Sequence, residues 1–135
     1  MRKALAILLL LPILSCTKVY NETPTAPSQS VAPGTPKQPD KIEFRVFGNQ
    51  ISSVVTIKHS DPINGAALYV GGTPYYASVN SKDDSIFLFI EATGNGTFSF
   101  SSLQAQIYVN GQLFRESFSQ GFALSVQASG TYRRQ

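Results

Sequence analysis

Apolar and polar residues alternate along most of the chain between positions 41 and 132. The segments 42–46 and 103–110 show the pattern most clearly, with an apolar residue at every second position. A period of two places successive side chains on opposite faces of a β-strand. Further segments of this kind are separated by stretches rich in Gly, Asn, Asp and Ser, which favour turns. They lie at 52–58, 66–70, 74–79, 85–91, 97–100, 113–118 and 122–128.

These segments predict the fold class. Short strands spaced by about 8 to 12 residues, with no segment of helical period, are typical of antiparallel sandwiches and barrels. We therefore expect an all-β domain, an immunoglobulin-like antiparallel β-sandwich of about seven to nine strands. Asn110-Gly111 predicts a two-residue type I′ hairpin, because both residues accept a positive φ. The apolar run 86–90 predicts a central strand whose outer face is covered; an exposed aromatic strip is the less favoured alternative.

Aromatic residues are expected to supply the core. All nine phenylalanines of the protein lie between positions 41 and 132, and each can bury on the order of 150 to 250 Å². A domain of about 92 residues without a disulfide depends on such a core, because small domains bury a modest share of their surface. Phe100 and Phe122 are predicted to be core residues.

The first sixteen residues have the order of a bacterial secretory signal: Arg2, Lys3, an apolar run at 4–14, Ser15 and the only cysteine, Cys16. The tetrad Ile13-Leu14-Ser15-Cys16 resembles the lipobox after which lipoprotein precursors are lipidated and cut. The apolar run is too short to span a membrane, which takes about 20 residues. We expect residues 1–15 to be removed and Cys16 to carry the lipid that anchors the protein in the cell envelope. An ordinary secreted protein cut nearby is the alternative.

The expected membrane follows from the residue after the cysteine. Thr17 occupies the position where inner-membrane lipoproteins of enteric bacteria carry aspartate, so we expect the outer membrane if the organism has two. Residues 16–40 are predicted to be a tether and 41–135 the folded domain, because five of the eight prolines fall between 17 and 40. An extended proline-rich segment of this length reaches up to roughly 70 Å.

Without the signal peptide the protein is nearly neutral. Nine Lys and Arg then stand against eight Asp and Glu, a net charge of +1. The cations are scattered, so no basic stripe that would follow nucleic-acid phosphates is predicted. Arg133 and Arg134 at the C-terminus are interpreted as a solvated tail.

The domain offers little for catalysis. It has one histidine, His59, no thiol and no Gly-x-Ser-x-Gly or comparable motif. We expect His59 in a surface loop; half of a hydrolase dyad is the alternative. Zinc needs three or four His, Cys or carboxylate ligands, and Asn80, Asp83 and Asp84 lack the repeating oxygen pattern of calcium loops, so we expect turn residues there. No catalytic residue, metal or cofactor is predicted.

Tyrosines near the Gly71-Gly72 turn are candidate binding residues. Tyr75 and Tyr76, together with Tyr69, offer flat amphipathic rings to a protein or carbohydrate partner. The alternative is packing over a sheet edge with the hydroxyls at the rim.

Four segments resemble the extracytoplasmic β-sandwich of the mycobacterial membrane protein small (MmpS) family: Phe44-Arg-Val-Phe-Gly48, Ser53-Val-Val-Thr-Ile57, Ile107-Tyr-Val-Asn-Gly111 and Gln127-Ala-Ser-Gly130. The resemblance rests on their order and spacing. It implies a β-sandwich and an accessory role beside a large lipid or siderophore exporter of the resistance-nodulation-division class. Members of that family usually have a transmembrane helix where this chain has the lipobox.

Together these features predict a lipid-anchored, non-enzymatic envelope protein. Its domain is expected to bind or support another envelope component, and the resemblance implies that this component is a transporter. A sandwich that binds a small ligand or a glycan is the alternative.

Overall fold

The computed structural model describes residues 36–52 and 54–135, and Pro36–Gln135 form one compact unit. Eight strands make up the regular secondary structure of the described residues: β1 (Asp40–Asn49), β2 (Val55–Asp61), β3 (Gly65–Gly71), β4 (Tyr75–Ser81), β5 (Ser85–Asn95), β6 (Ser102–Val109), β7 (Gln112–Gln120) and β8 (Ala123–Arg133). The predicted signal peptide, Cys16 and most of the predicted tether lie outside the described residues. No helix in the described part of the chain is long and apolar enough to cross a membrane.

The strands form two four-stranded sheets around a shared core. The first sheet has the order β4-β1-β6-β7 and the second the order β3-β2-β5-β8. Every pairing between neighbouring strands is antiparallel. The predicted all-β antiparallel sandwich of seven to nine strands is therefore confirmed.

The core between the sheets is mostly aliphatic. Its buried residues are Ile42, Phe44, Val46, Val55, Ile57, Leu88, Ile90, Ala92, Leu103, Ala105, Ile107, Val109, Leu124, Val126 and Ala128. Phe44 is the one phenylalanine in this set. Phe100 and Phe122 are 56% and 62% exposed, so their prediction as core residues is wrong. Both follow the ends of strands, where the inner faces of the sheets no longer enclose a side chain.

Two predictions about β5 and the loop that follows it are also wrong. Leu88 is fully buried, but Phe87 on the opposite face is 60% exposed, so the outer face of this strand is not covered as expected. The segment 97–100 is a loop rather than a strand. Ser101 Oγ accepts a hydrogen bond from the Phe98 amide (2.9 Å), a local bond that competes with strand pairing.

The hairpin between β6 and β7 is confirmed. The φ angle is 51° at Asn110 and 80° at Gly111, and a type I′ turn requires positive values at both positions. Val109 and Gln112 pair directly on either side of the turn.

The sandwich has two ends, and the chain enters at one of them. At this near end, the start of β1 meets the β2–β3, β4–β5 and β6–β7 connections and the C-terminus. At the opposite, far end lie the connections 50–54, 72–74, 96–101 and 121–122.

Arg134 closes the near end. Its Nε donates to Asp40 Oδ2 (2.7 Å), and the two side chains are only 11% and 12% exposed. Its terminal nitrogens donate to the backbone oxygens of Gln38, Ser81 and Lys82. The interpretation of Arg134 as part of a solvated tail is therefore wrong. Its carboxylate partner lies 94 residues earlier in the chain, where a local sequence pattern cannot reveal it.

Candidate functional site

The two candidate binding tyrosines lie on opposite faces of β4. Tyr75 pairs with Val46, whose side chain is in the core, and Tyr76 pairs with Arg45 on the outer face. Because neighbouring residues of a strand alternate between faces, the two rings cannot contact one ligand side by side. Tyr76 is 60% exposed, whereas Tyr75 packs against the core.

The partly buried Tyr75 is hydrogen-bonded to the buried His59. Its hydroxyl lies 2.9 Å from His59 Nε2, and His59 Nδ1 lies 2.9 Å from the backbone oxygen of Ser60. A carbonyl oxygen can only accept, so Nδ1 donates to it, and in the neutral ring Nε2 then accepts from the Tyr75 hydroxyl. The His59 ring stacks on Phe44 at 4.5 Å between centroids, and Tyr69 packs on Tyr75 at 4.6 Å. Burial raises the pKa of Tyr75 above its ordinary value.

The prediction of His59 as a surface-loop residue is wrong, since its exposure is 3%. β2 continues to Asp61, beyond the segment that alternation predicted. Val55, Ile57 and His59 consequently share the inward face. Both ring nitrogens hydrogen-bond to protein groups, Nδ1 to the Ser60 carbonyl oxygen and Nε2 to the Tyr75 hydroxyl, so the ring links β2 to β4.

The outer face of the first sheet brings together residues from four strands. We call it the aromatic face. Its central cross-strand row consists of Tyr76, Arg45, Gln106 and Glu116. The row on one side consists of Phe47, Gln104 and Phe118, and the row on the other side includes Glu43 and Tyr108. The guanidinium of Arg45 lies 4.1 Å from the Tyr108 ring centroid, and Phe47 meets Tyr76 edge to face at 5.7 Å. The face therefore presents two ring contacts, Arg45 on Tyr108 and Phe47 against Tyr76.

Three charged groups of this face, on Lys41, Glu43 and Arg45, pair with one another. Glu43 lies 3.1 Å from Lys41 Nζ and 3.5 Å from Arg45. The hydrogen bond from Lys41, aided by Arg45, lowers the pKa of the Glu43 carboxyl, so it stays ionised at neutral pH. Gln104 and Gln106 both donate to Glu116 Oε2, at 3.3 and 3.4 Å.

A shallow groove crosses the aromatic face between β1 and β4. It has a volume of about 180 Å³ and is lined by Glu43, Phe44, Arg45, Tyr76, Ala77 and Ser78. Stacking, cation–π contact and hydrogen bonding are the interactions these groups provide.

The acidic loop between β4 and β5 is held by local partners. Ser81 Oγ donates to Asp83 Oδ2 (3.0 Å), and the Asp83 amide donates back to Ser81 Oγ (3.1 Å). Asp84 pairs with Lys37 at 2.6 Å, and that hydrogen bond lowers the pKa of its carboxyl. Among residues 36–52 and 54–135, no three His, Cys, Asp or Glu side chains cluster as metal ligands would.

Sequence reasoning identified Tyr76 but missed Arg45, Phe47 and Tyr108 as its neighbours. Alternation does place them on the polar faces of β1 and β6. Their proximity depends on the pairing of Arg45 with Tyr76 on one side and Gln106 on the other. A single sequence does not reveal which strands are neighbours.

Comparison with protein families and with curated proteins identifies no relative of this chain. The chain matches no protein-family model, and no curated protein is significantly similar to it. The resemblance to the MmpS family and the lipobox at Cys16 accordingly stay predictions.

Proposed function

We propose that this chain is a lipid-anchored, non-enzymatic cell-envelope protein whose aromatic face binds another envelope protein. The observation that carries the proposal is the exposed Tyr76 ring beside Phe47, with Arg45 stacked on Tyr108. Tyr, Phe and Arg are enriched in the buried centres of protein interfaces.

The shape of the face favours a protein over a small ligand. Small-molecule sites are concave cavities of about 300 to 1,000 Å³, whereas the groove beside Tyr76 holds only about 180 Å³. The paired charges of Glu43 and Arg45 supply polar contacts around the rings. A flat partner surface can bury the Glu43–Arg45 pair without leaving either of these two charges unpaired.

In this proposal the lipid anchor attaches the protein to the membrane, and the tether allows the domain to reach its partner at a distance from the membrane. Acyl chains on Cys16 bind the membrane, since two or more chains give stable anchoring. Cys16→Ala should abolish recovery of the protein in carbonate-washed membranes, because the wash removes proteins that are bound only reversibly; Ser28→Ala, in the tether, is the matched control. Retention of the Cys16→Ala protein in carbonate-washed membranes would contradict lipid anchoring.

Site-specific photocrosslinking tests the aromatic face. A photoreactive phenylalanine replaces Tyr76, or Ser129 on the outer face of the second sheet as the control. We expect one discrete adduct from position 76, its loss when Arg45→Ala removes the stacked guanidinium, and no adduct from position 129. Identification of an exporter in that adduct would support the transport-accessory role. Equal adducts from both positions, or none from 76, would overturn the proposal.

Glycan binding is the second candidate. The amides of Gln104 and Gln106 lie beside the aromatic rings, and sugars bind through a ring platform flanked by hydrogen-bonding groups. Soluble envelope glycan fragments should then raise the melting temperature of the wild type but not that of Tyr76→Ala. No shift in either protein would exclude this candidate.

A further inference from the structure

One half of the sandwich carries no charged side chain. The segments 46–56, 69–75, 92–105 and 117–126 contain no Asp, Glu, Lys, Arg or His. They are separate in sequence, yet they include the far ends of all eight strands and all four far-end connections. The fold therefore gathers four uncharged segments into one continuous uncharged end.

Three phenylalanines project from this far end. Phe98 and Phe100 stack on each other with ring centroids 5.0 Å apart and nearly parallel planes. They are 44% and 56% exposed, and Phe122 in the neighbouring connection is 62% exposed. Large apolar side chains clustered at one end of a domain mark an interaction site rather than ordinary surface.

The backbone of the far end is already hydrogen-bonded across its loops. The bonds run from Ser52 N to Asn95 O, Thr97 N to Gln50 O, Gly96 N to Phe122 O and Gly121 N to Ser101 O, at 2.7 to 2.9 Å. Ser101 Oγ also donates to Gln50 O (2.7 Å). Entering an apolar medium is costly for unpaired backbone groups, and these bonds remove much of that cost while holding the rings in place.

We propose that the far end inserts Phe98, Phe100 and Phe122 into the interfacial region of a lipid bilayer. Exposed rings without nearby charge suit a medium in which charges are expensive and aromatic side chains are favoured. Because the end is uncharged, this contact depends on apolar burial and not on anionic lipid. It involves residues outside the groove at Tyr76 and does not depend on the protein partner proposed above.

The position of the chain entry permits this contact, provided that the tether is longer than the domain. The sequence before Asp40 enters at the near end, and strands of about ten residues place the far end roughly 33 Å away. If residues 16–40 form the predicted extended tether, it reaches up to roughly 70 Å, which is longer than the domain. A protein anchored at Cys16 can therefore turn its far end toward the same membrane.

Vesicle sedimentation tests the proposal with a chain that starts at Thr17. The compact unit Pro36–Gln135 contains every strand and the whole core, so the domain is retained, and circular dichroism checks its fold. We expect this unlipidated protein to bind phosphatidylcholine vesicles equally well at low and high salt. Phe98→Ser, Phe100→Ser and Phe122→Ser should each lower the partition coefficient about tenfold.

Phe87→Ser is the matched control. Phe87 is 60% exposed, close to the value for Phe122, but it lies on the outer face of the second sheet toward the near end. Vesicle binding should be unchanged by this substitution. An equal loss with Phe87→Ser, no vesicle binding by the wild type, or binding that weakens with salt would each overturn the proposal.

A fluorescent label gives a readout that does not depend on removing a ring. The chain from Thr17 has no cysteine, so Ser99→Cys places an environment-sensitive dye between Phe98 and Phe100. Its emission should shift to the blue with vesicles, and the same dye at Ser129→Cys should not respond. A concentration-dependent dimer without lipid that Phe122→Ser abolishes would instead assign the far end to self-association and overturn the membrane contact.

Discussion

At the scale of single residues, the buried His59–Tyr75 pair is the most specific feature of the core. Its tautomer is fixed, because Ser60 O accepts from Nδ1 and Tyr75 donates to Nε2. Such a pair stabilises the fold only while both members are present, since a buried polar atom that loses its partner retains its desolvation cost.

We predict that Tyr75→Phe destabilises the domain by about 1–2 kcal/mol, because Nε2 of His59 is left without its donor. His59→Phe should cost a similar amount, because it orphans the Tyr75 hydroxyl while keeping a ring against Phe44. The double variant should lose less than the sum of the two single changes. Urea unfolding of the four proteins measures this, and strict additivity would contradict the proposed coupling.

At the scale of elements, the close approach of two loops leaves no room for a side chain at Gly96. A Cβ at this position would collide with the backbone oxygen of Gly121 and the Cβ of Ser101. We predict that Gly96→Ala lowers the free energy of unfolding by about 1–3 kcal/mol through overpacking.

Gly72→Ala is the matched control for that change. Nothing lies within 4 Å of a Cβ there, and Gly72 does not have a positive φ. The substitution should be neutral or stabilising by up to about 1 kcal/mol, because it restricts the unfolded chain. If thermal unfolding showed the two alanine variants to be equally stable, the loop contact at Gly96 would be refuted.

Phe44 and Phe100 should contribute very differently to stability, because one lies in the core on β1 and the other lies exposed in the β5–β6 loop. Phe44 is fully buried and Phe100 is 56% exposed. Phe44→Ala should cost about 3–5 kcal/mol, whereas Phe100→Ala should change stability by no more than about 0.5 kcal/mol. Denaturant midpoints at equal m-value provide the comparison, and a larger loss for Phe100→Ala would contradict the described core.

At the scale of the whole molecule, the Arg134–Asp40 ion pair joins the two termini of the domain. We predict that Arg134→Ala costs about 3 kcal/mol, because it leaves a mostly buried carboxylate without its cation. Arg133→Ala, one residue earlier and exposed, should cost no more than about 0.5 kcal/mol. Similar melting temperatures for the two variants would show that the pair does not hold the near end.

The contacts of Asp40 with Asn110 and Arg134 predict that the stability of the domain depends on pH. The hydrogen bond from Asn110 and the charge and hydrogen bond of Arg134 lower the pKa of the Asp40 carboxyl below its ordinary value. Because the pKa of this carboxyl is lower in the folded state than in the unfolded state, the ionised carboxylate stabilises the fold. This stabilisation is fully present above the unfolded-state pKa near 4 and is lost as the pH falls through the folded-state pKa.

Asp40→Asn should therefore be less stable than the wild type at neutral pH, and the difference should shrink below about pH 4. Comparing the two proteins isolates Asp40 from Glu43, Asp61 and Asp84, whose pKa values are also lowered. Urea unfolding across this pH range tests the expectation. A constant difference at every pH would contradict a role for the ionised carboxylate.

The sequence by itself determined local features of the protein. Alternation along 42–46 and 103–110 fixed strand faces, and Asn110-Gly111 fixed a hairpin, because period and sign of φ are properties of neighbouring residues. The spacing of the alternating segments predicted the all-β class. The count of phenylalanines misassigned Phe100 to the core, since an apolar residue can lie in a loop as readily as in a core.

Only the tertiary structure decided which distant residues meet. Arg134 pairs with Asp40 across 94 residues of sequence. Arg45 of β1 reaches Tyr108 of the neighbouring strand β6, and His59 turns inward because β2 extends past its predicted end. These contacts depend on strand order and register, which the burial of the whole core selects. For the same reason, four uncharged segments become one uncharged end only when eight strands are assembled.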